Sequence, residues 1–274
     1  MKNSLLFSLT LIAAGLLFSC SSDSSSTDSL VLEKIVRYTP QFVNFDTKTV
    51  TYYDLGNQSV VDSVFNSSNQ YLKKTEYITA PLSRTANSYD VSNTLTLRVI
   101  EEFDDLGRLI TLTSYGATGN VGWKYSYDYD DVDHTIIRNS VSGSTITPLF
   151  VYTVNSIGLI YYGDDLTNDI QSELIFDGNK PISVSSVGDP FSPRNVTYYP
   201  APKPSSLRLS DVRKNNLVLK FHLNLMITNS DYYYTSFGDS EHILMTFDGN
   251  NYPLTAKRFF TPDVNSWEDF YYYQ

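Results

Sequence analysis

The sequence predicts an all-β protein in which an antiparallel sheet of repeated β-hairpins is strongly curved or rolled, with little helix. Apolar and polar residues alternate along several segments, tyrosine and phenylalanine are abundant at 22 and 15 of the 274 residues, and Asp, Asn and Gly recur between the segments. Alternation with a period of two buries one face of a strand and leaves the other wet. That pattern is typical of antiparallel sheets, because parallel strands are covered on both faces.

Four segments carry the strand prediction. Alternation is longest over residues 217–227, and it recurs over residues 95–99 and 123–129. Residues 267–274 are strongly apolar, and a free end of that kind would invite aggregation. We therefore expect this last segment to dock in the sheet as its closing strand.

A recurring turn signal joins the segments. Phe103 is followed by the turn-forming Asp104, then by Gly107, which tolerates positive φ, and then by Leu109, which resumes the next strand. Variants of this pattern begin at Phe176 and Phe247, and looser copies begin at Phe65 and Tyr152. The repeated unit is predicted to be a β-hairpin.

The N-terminus has the order of a secretory signal. Lys2 precedes an apolar stretch that is too short to span a membrane and ends in Leu17-Phe18-Ser19-Cys20. This ending resembles the lipobox of bacterial lipoproteins, and the resemblance implies a signal peptide over residues 1–19 and acyl chains such as palmitate on Cys20. Ordinary cleavage without lipidation is the alternative.

The resemblance to lipoproteins also implies a cellular location. Residues 20–29 are rich in serine and aspartate and form a flexible tether by composition. Ser21 rather than Asp follows the cysteine, which by resemblance favours lipid anchoring in the outer membrane, at its periplasmic face or at the cell surface. The membrane is then a partner through the lipid on Cys20.

Residues 30–274 are predicted to form a single antiparallel β-domain. The proline-rich stretch over residues 200–206 is expected to be a loop crossing between strands. The best helix candidates, residues 168–174 and 205–212, show no convincing stripe at the helical period.

A second resemblance concerns the hairpins. Residues 103–130 begin with Phe-Asp-x-x-Gly-Arg-Leu and end with Trp-x-Tyr-x-Tyr-Asp, and they resemble a YD repeat of the Rhs and teneurin type. With its lipobox and tether, the chain is similar to small YD-repeat-like lipoproteins of Bacteroidetes. The resemblance implies a location and an architecture built from hairpins, and it implies no reaction.

Composition excludes several classes of protein. The abundance of aromatic residues argues against disorder, a single cysteine cannot build a disulfide scaffold, and a formal net charge of −10 disfavours nucleic acid and other anionic partners. No phosphate-binding glycine motif occurs, and no cofactor is expected.

Candidate metal and catalytic residues carry weak signals. Asp128, Asp130, Asp131 and Asp133 could bind calcium, but their spacing fails the EF-hand pattern, and the cluster around Asp164, Asp165 and Asp169 fails similarly. The histidines at 134, 222 and 242 form no zinc motif, and the latter two are expected on the outer faces of strands. No nucleophile elbow occurs, while a convergent triad or a pair of distant carboxylates stays open.

Exposed tyrosines are the candidate ligand contacts. Consecutive residues of a strand point to opposite faces, so at least one tyrosine of each triplet should point outward. The triplets are Tyr232, Tyr233 and Tyr234, and Tyr271, Tyr272 and Tyr273. Ser29 and Ser63 follow aspartate and precede an apolar residue, which resembles the O-glycosylation motif of Bacteroidetes exported proteins.

The function expected from the sequence is binding or structural support at the cell envelope. The sheet would present an aromatic, acidic surface to a glycan, a peptide or another envelope protein. Two alternatives stay open, a surface hydrolase acting on polysaccharide or peptide and a carrier of an apolar ligand in a curled sheet. The hydrolase needs two carboxylates in a cleft, and the carrier needs an all-apolar concave face.

Overall fold

The computed structural model describes residues 30–39, 47–55, 58–156, 159–178, 180–188, 192–202, 232–238, 241–260 and 264–273. Several sequence predictions fall outside these residues: the signal peptide, Cys20 and the tether with Ser29, the helix candidate at 205–212, and the strand at 217–227 with His222. The described strands belong to one compact unit, residues 31–274.

In the part of the chain that the structure describes, eighteen antiparallel strands form one closed barrel, and each pairs with its neighbours in sequence while the last pairs with the first. The strands are β1 Leu32–Thr39, β2 Thr47–Tyr53, β3 Ser59–Asn66, β4 Tyr71–Ala80, β5 Ser83–Tyr89, β6 Leu95–Phe103, β7 Leu109–Gly116, β8 Val121–Asp130, β9 Thr135–Ser142, β10 Thr145–Val154, β11 Ile160–Asp165, β12 Ile170–Asp177, β13 Lys180–Ser186, β14 Arg194–Pro202, β15 Tyr232–Phe237, β16 Glu241–Phe247, β17 Pro253–Phe260 and β18 Val264–Tyr273. The predicted all-β antiparallel class is confirmed, and the sheet closes on itself rather than staying an open roll.

The sequence predictions for individual segments are confirmed in some places and wrong in others. The alternating segments at 95–99 and 123–129 lie in β6 and β8, and the C-terminal segment lies in β18 between β17 and β1, as predicted. Residues 168–174, which show no convincing helical stripe, form a turn and the start of β12, in agreement with the expectation of little helix. The expected loop at 200–206 is wrong at its start, because β14 runs to Pro202. The hydrogen-bond ladder between β14 and β15 is interrupted between Tyr198 and Pro202. The prolines in this part of β14 have no N–H group, so they fit where no ladder hydrogen bond is required.

Burial distinguishes the two faces of the barrel wall. The buried apolar strand residues, Val50 excepted, share one face; examples are Ile136, Tyr152 and Ala256. Side chains on the concave side of a closed sheet converge and lose solvent, so this is the inner face. Convergence is visible where Arg84 on β5 donates a 3.0 Å hydrogen bond to the hydroxyl of Ser59 on β3, two strands away.

One five-residue turn recurs around the barrel. The backbone N–H of Asp104 donates to the carbonyl of Arg108, the Asp104 carboxylate accepts the N–H groups of Leu106 and Arg108, and Gly107 takes a φ of 73°. The same backbone bond closes the turns that start at Asp54, Asn66, Asp90, Gly116, Asn155 and Asp248. The hairpins predicted at Phe65, Phe103, Tyr152, Phe176 and Phe247 are all present, and the one after Phe176 has a shorter turn.

A tyrosine hydroxyl secures several of these hairpins. Tyr129 on β8 donates a 2.8 Å hydrogen bond to the carbonyl of Leu109, the first residue after the preceding turn. Tyr198 on β14 and Tyr273 on β18 make the equivalent bonds to Pro181 and Pro253, at 2.6 and 2.8 Å. In each case the ladder shifts register at the turn, between Glu102 and Phe103 for the first. The hydroxyl therefore satisfies a carbonyl near a point where strand pairing is irregular.

Candidate binding surface

The predicted carboxylate cluster does not converge on a common point. Asp128 lies on the outer face and accepts a hydrogen bond from the Asn139 amide, while Asp130 accepts the N–H groups of Val132 and Asp133. Those turn hydrogen bonds hold the pKa of Asp130 below its usual value. Asp131 pairs with Arg108 at 2.9 Å. Among the described residues, no group of three or more His, Cys, Asp or Glu side chains is placed to hold a metal.

The described histidines have structural surroundings. His242 lies on the outer face of β16, as predicted, and stacks on Phe259 with ring centroids 4.9 Å apart. His134 occupies the turn between β8 and β9 with a φ of 54°. The described part of the chain has no helix long and apolar enough to cross a bilayer.

Two inner-face carboxylates, Asp269 and Glu241, lie beside arginines. Asp269 accepts two hydrogen bonds from Arg37, at 2.7 and 2.8 Å, and its side chain is only 2% exposed. Glu241 accepts a 2.6 Å hydrogen bond from Arg258. These carboxylates are thus arranged as ion pairs.

Aromatic and basic side chains together fill the inner face of β6 to β11. Phe103, Tyr127 and Tyr152 are buried there, and the Arg138 guanidinium lies 4.1 Å from the ring centroid of Tyr125 and 5.0 Å from that of Phe150. This concave face is therefore not the all-apolar surface that a carrier of an apolar ligand needs.

Burial shifts the titration of the inner tyrosines. It raises the pKa of Tyr127 to about 12, and it raises the pKa of Tyr271 well above its ordinary value, with Asp269 adding to the effect. Charged phenolates are disfavoured where water is excluded. These tyrosines are consequently neutral packing groups at ordinary pH.

The C-terminal tyrosine triplet divides between the two faces, as its spacing predicts. Tyr271 and Tyr273 point inward, while Tyr272 points outward and is 43% exposed. In the other triplet Tyr233 is half-buried against Phe247, and the side chains of Tyr232 and Tyr234 lie outside the described part of the chain.

Tyr272 has exposed aromatic neighbours on the adjoining strands. Tyr38 on β1 is 47% exposed and Tyr52 on β2 is 41% exposed, so the three most exposed tyrosines among the described residues lie on three adjoining strands. We call the outer face of β18, β1 and β2 the seam surface, because the barrel closes there. Its residues are Lys34, Val36, Tyr38, Lys48, Val50, Tyr52, Glu268, Phe270 and Tyr272.

Cation–π contacts and edge-to-face packing order the seam surface. The Lys34 ammonium lies 5.0 Å from the ring centroid of Tyr272, and Tyr38 meets Phe270 edge to face at 5.8 Å. Lys48 lies 5.0 Å from the ring centroid of Phe65 on β3 and donates a 2.8 Å hydrogen bond to the Asn69 side chain. Such contacts hold flat rings and ammonium groups at fixed positions on a sheet.

Sequence reasoning found Tyr272 but missed Tyr38 and Tyr52. A signal was present, because both tyrosines end a Lys-x-Val-x-Tyr segment, at residues 34–38 and 48–52. The predicted glycosylation candidate Ser63 lies on the outer face of β3, opposite Val50 and Lys74. It therefore borders the seam surface.

Comparison with known proteins gives distant likenesses in fold. No family model matches the chain, and no curated protein matches it. A porin-like protein from Bacteroides uniformis is similar over 89% of this chain and 98% of its own, with 11% identity and a TM-score of 0.45. A porin-like protein from Bacteroides vulgatus is similar over 89% and 99%, with 14% identity and a TM-score of 0.39. Likenesses this remote do not identify the chain.

Proposed function

We propose that this protein is a lipid-anchored barrel of the outer membrane that binds an envelope or extracellular ligand through the seam surface, without catalysis. One observation carries the proposal. The three most exposed tyrosines among the described residues lie together on the outer face of adjoining strands instead of being scattered. A tyrosine side chain has an apolar ring and a polar hydroxyl, so exposed tyrosines suit binding interfaces that remain partly hydrated.

The topology supports a tether at one end of the barrel. The first strand, β1, starts at the end where β2 finishes and β18 stops, because both of its neighbours run antiparallel to it. An acylated Cys20 is therefore joined to that end by the short Ser/Asp-rich segment. The outer wall mixes lysines, carboxylates and tyrosines, which favours contact with water, so the proposal assigns the membrane attachment to the lipid.

Arrangement of the inner charges favours binding over hydrolysis. Asp269 and Glu241 are each hydrogen-bonded by an arginine on a neighbouring strand. Each of these two carboxylates is thus engaged by the protein itself rather than presented to a substrate. The inner face thus serves as the rigid support of an outer wall that binds.

The anchoring part is tested by mass spectrometry and membrane fractionation of the native protein beside Cys20→Ala. Acylation of the native protein and its recovery with the outer membrane are expected, and the variant should be lost from that fraction. Protease treatment of intact cells then assigns the periplasmic face or the cell surface. An unmodified, freely secreted native protein would refute the anchor.

The binding part is tested by retention of the protein on immobilised envelope polysaccharide. Tyr52→Ser and Tyr272→Ser should each reduce retention, whereas Tyr162→Ser, on the outer face of β11, should not. Equal retention of all four proteins, with unfolding midpoints unchanged, would rule out the seam surface as the binding site.

A further inference from the structure

The seam surface contains a repeated motif that the fold sets in antiparallel register. Residues 34–38 on β1 and 48–52 on β2 share the pattern Lys-x-Val-x-Tyr. Pairing places Lys34 opposite Tyr52, Val36 opposite Val50, and Tyr38 opposite Lys48. The two strands therefore form two equivalent Lys–Tyr pairs around an apolar centre, related by a local two-fold axis.

Tyr272 and Phe270 extend this arrangement onto β18. In the strand register Lys34 lies between Tyr272 on β18 and Tyr52 on β2, and its ammonium lies 5.0 Å from the ring centroid of Tyr272. The two strands that carry these tyrosines, β18 and β2, are two strand spacings apart, which is about 10 Å. At the centre of the surface, Val36 is half-buried and Val50 is buried.

Charge is unevenly distributed around the outer wall. In the described part of the chain, Lys48 has no carboxylate within 4 Å, and Lys34 has only its neighbour Glu33, at 3.6 Å. On the opposite side of the ring the outer face carries Asp128, Asp164 and Glu173. Burial together with Asp164 and Glu173 raises the pKa of Tyr162 there. The seam surface contains one carboxylate, Glu268, which pairs with Lys257 at 2.9 Å, so the ammonium groups of Lys34 and Lys48 are the charges that it presents to a ligand.

We propose that the seam surface binds a polysaccharide that carries carboxylate groups on repeating sugars. This inference rests on the proposed function and names its ligand class. Tyr38, Tyr52 and Tyr272 stack on the apolar faces of sugar rings, and Lys34 and Lys48 pair with the carboxylates. Because the two Lys–Tyr pairs are equivalent, a repeating acidic chain engages both at once and gains avidity from the linkage.

The closed barrel disfavours a peptide added as a strand. Every strand pairs on both sides in the ring, so no free strand edge remains among the described strands for an added β-strand. The ligand must instead lie on the face of the sheet, where rings and ammonium groups are the available contacts.

The test uses the mature full-length protein in mild detergent and two matched polymers. Polygalacturonate carries a carboxylate on each sugar, and its fully methyl-esterified form has the same backbone without the charges. We expect binding to the acid and at least about tenfold weaker binding to the ester. Raising the salt concentration should weaken binding to the acid, because charge pairing at a surface is screened.

Variants separate the ligand class from the binding surface. The double variant Lys34→Gln with Lys48→Gln should lose at least about tenfold in affinity for polygalacturonate, while Lys124→Gln, on the outer face of β8, should match the unchanged protein. Thermal unfolding of each variant confirms that it folds. Equal binding of acid and ester, with loss only in Tyr52→Ser and Tyr272→Ser, would overturn the anionic ligand class while the proposed function stands.

Two further outcomes also overturn the inference. If neither polymer binds, the carboxylated ligand class is refuted, and retention on envelope polysaccharide decides whether the proposed function survives. If the lysine double variant binds polygalacturonate as well as Lys124→Gln does, the lysines of the seam surface have no part in recognition.

Discussion

The inner and outer faces of the barrel use different cations. Among the described strands, the inner face carries arginines and the outer face carries lysines, with Arg98 outside and Lys73 inside as exceptions. The inner arginines are at 37, 84, 138, 194 and 258, and the outer lysines are at 34, 48, 74, 124, 180 and 257. A guanidinium stacks on rings and binds carboxylates in a planar fork, whereas an ammonium is strongly hydrated. The difference shows that the inner charges are packing elements and that the outer ones remain available to water and ligands.

The largest expected effect comes from breaking an inner ion pair. Arg37→Met leaves the Asp269 carboxylate, 2% exposed, without its two hydrogen bonds, and should lower the free energy of unfolding by about 3 to 5 kcal/mol. The outer control Lys257→Met removes a 2.9 Å pair with Glu268 and should cost at most about 1 kcal/mol. Urea unfolding measures both.

Replacing both partners sharpens this test. Arg37→Met combined with Asp269→Leu should recover most of the lost stability, because the cost arises from the unpaired buried carboxylate rather than from the absence of the pair. If Arg37→Met and Lys257→Met cost the same, the proposed difference between inner and outer charges is wrong.

Truncation of an isoleucine gives the second largest effect. Ile136 on the inner face of β9 is 2% exposed, and Ile175 on the outer face of β12 is 53% exposed. Ile136→Ala should cost about 2 to 5 kcal/mol because it leaves a cavity, while Ile175→Ala should stay within about 0.5 kcal/mol. Chemical denaturation of the two variants provides the measurement, and a reversed order would contradict the assignment of the faces.

Alkaline pH should weaken the inner face selectively. Burial raises the pKa of Tyr127 to about 12, above the value of about 10 for an unfolded tyrosine. The neutral phenol therefore stabilises the fold fully below pH 10, and this contribution is lost as pH rises through 12. Near pH 11 the loss is roughly 1.4 kcal/mol. Between pH 9 and 11 the free energy of unfolding should fall by that amount less in Tyr127→Phe than in the unchanged protein. If the two proteins lose stability equally over this range, the prediction is wrong.

The smallest effect concerns the tyrosine hydroxyls that secure the hairpins. Tyr129→Phe removes the 2.8 Å hydrogen bond to the Leu109 carbonyl and should cost about 1 kcal/mol. Tyr115→Phe, on the outer face of β7, serves as the control and should change stability by less than about 0.5 kcal/mol. A cost confined to the control would show that these hydroxyls do not secure the hairpins.

Local features of the fold were accessible from sequence. Alternation located β6 and β8, and the pattern of an aromatic residue before Asp located the turn after Phe103. The same five-residue turn also follows Tyr53, Tyr89 and Tyr115, where it was not predicted. These features are predictable because a turn depends on a few neighbouring residues, such as an Asp side chain that accepts nearby N–H groups.

The candidate site was only partly accessible from sequence. The triplet at 271–273 guaranteed an outward tyrosine, since successive residues alternate between faces. Its exposed neighbours Tyr38 and Tyr52 are more than two hundred residues away in sequence, and only the closing pair of β1 with β18 brings them together. No local pattern encodes that pairing.

The sequence by itself determined that this protein consists of amphipathic strands joined by tight Asp and Gly turns, because both properties arise from residues near one another in the chain. Only the tertiary structure decided that the sheet closes, which face of each strand is concave, and that two Lys-x-Val-x-Tyr segments lie beside Tyr272. Closure brings together residues as distant as Arg37 and Asp269, 232 positions apart, and depends on the summed twist and curvature of all the strands.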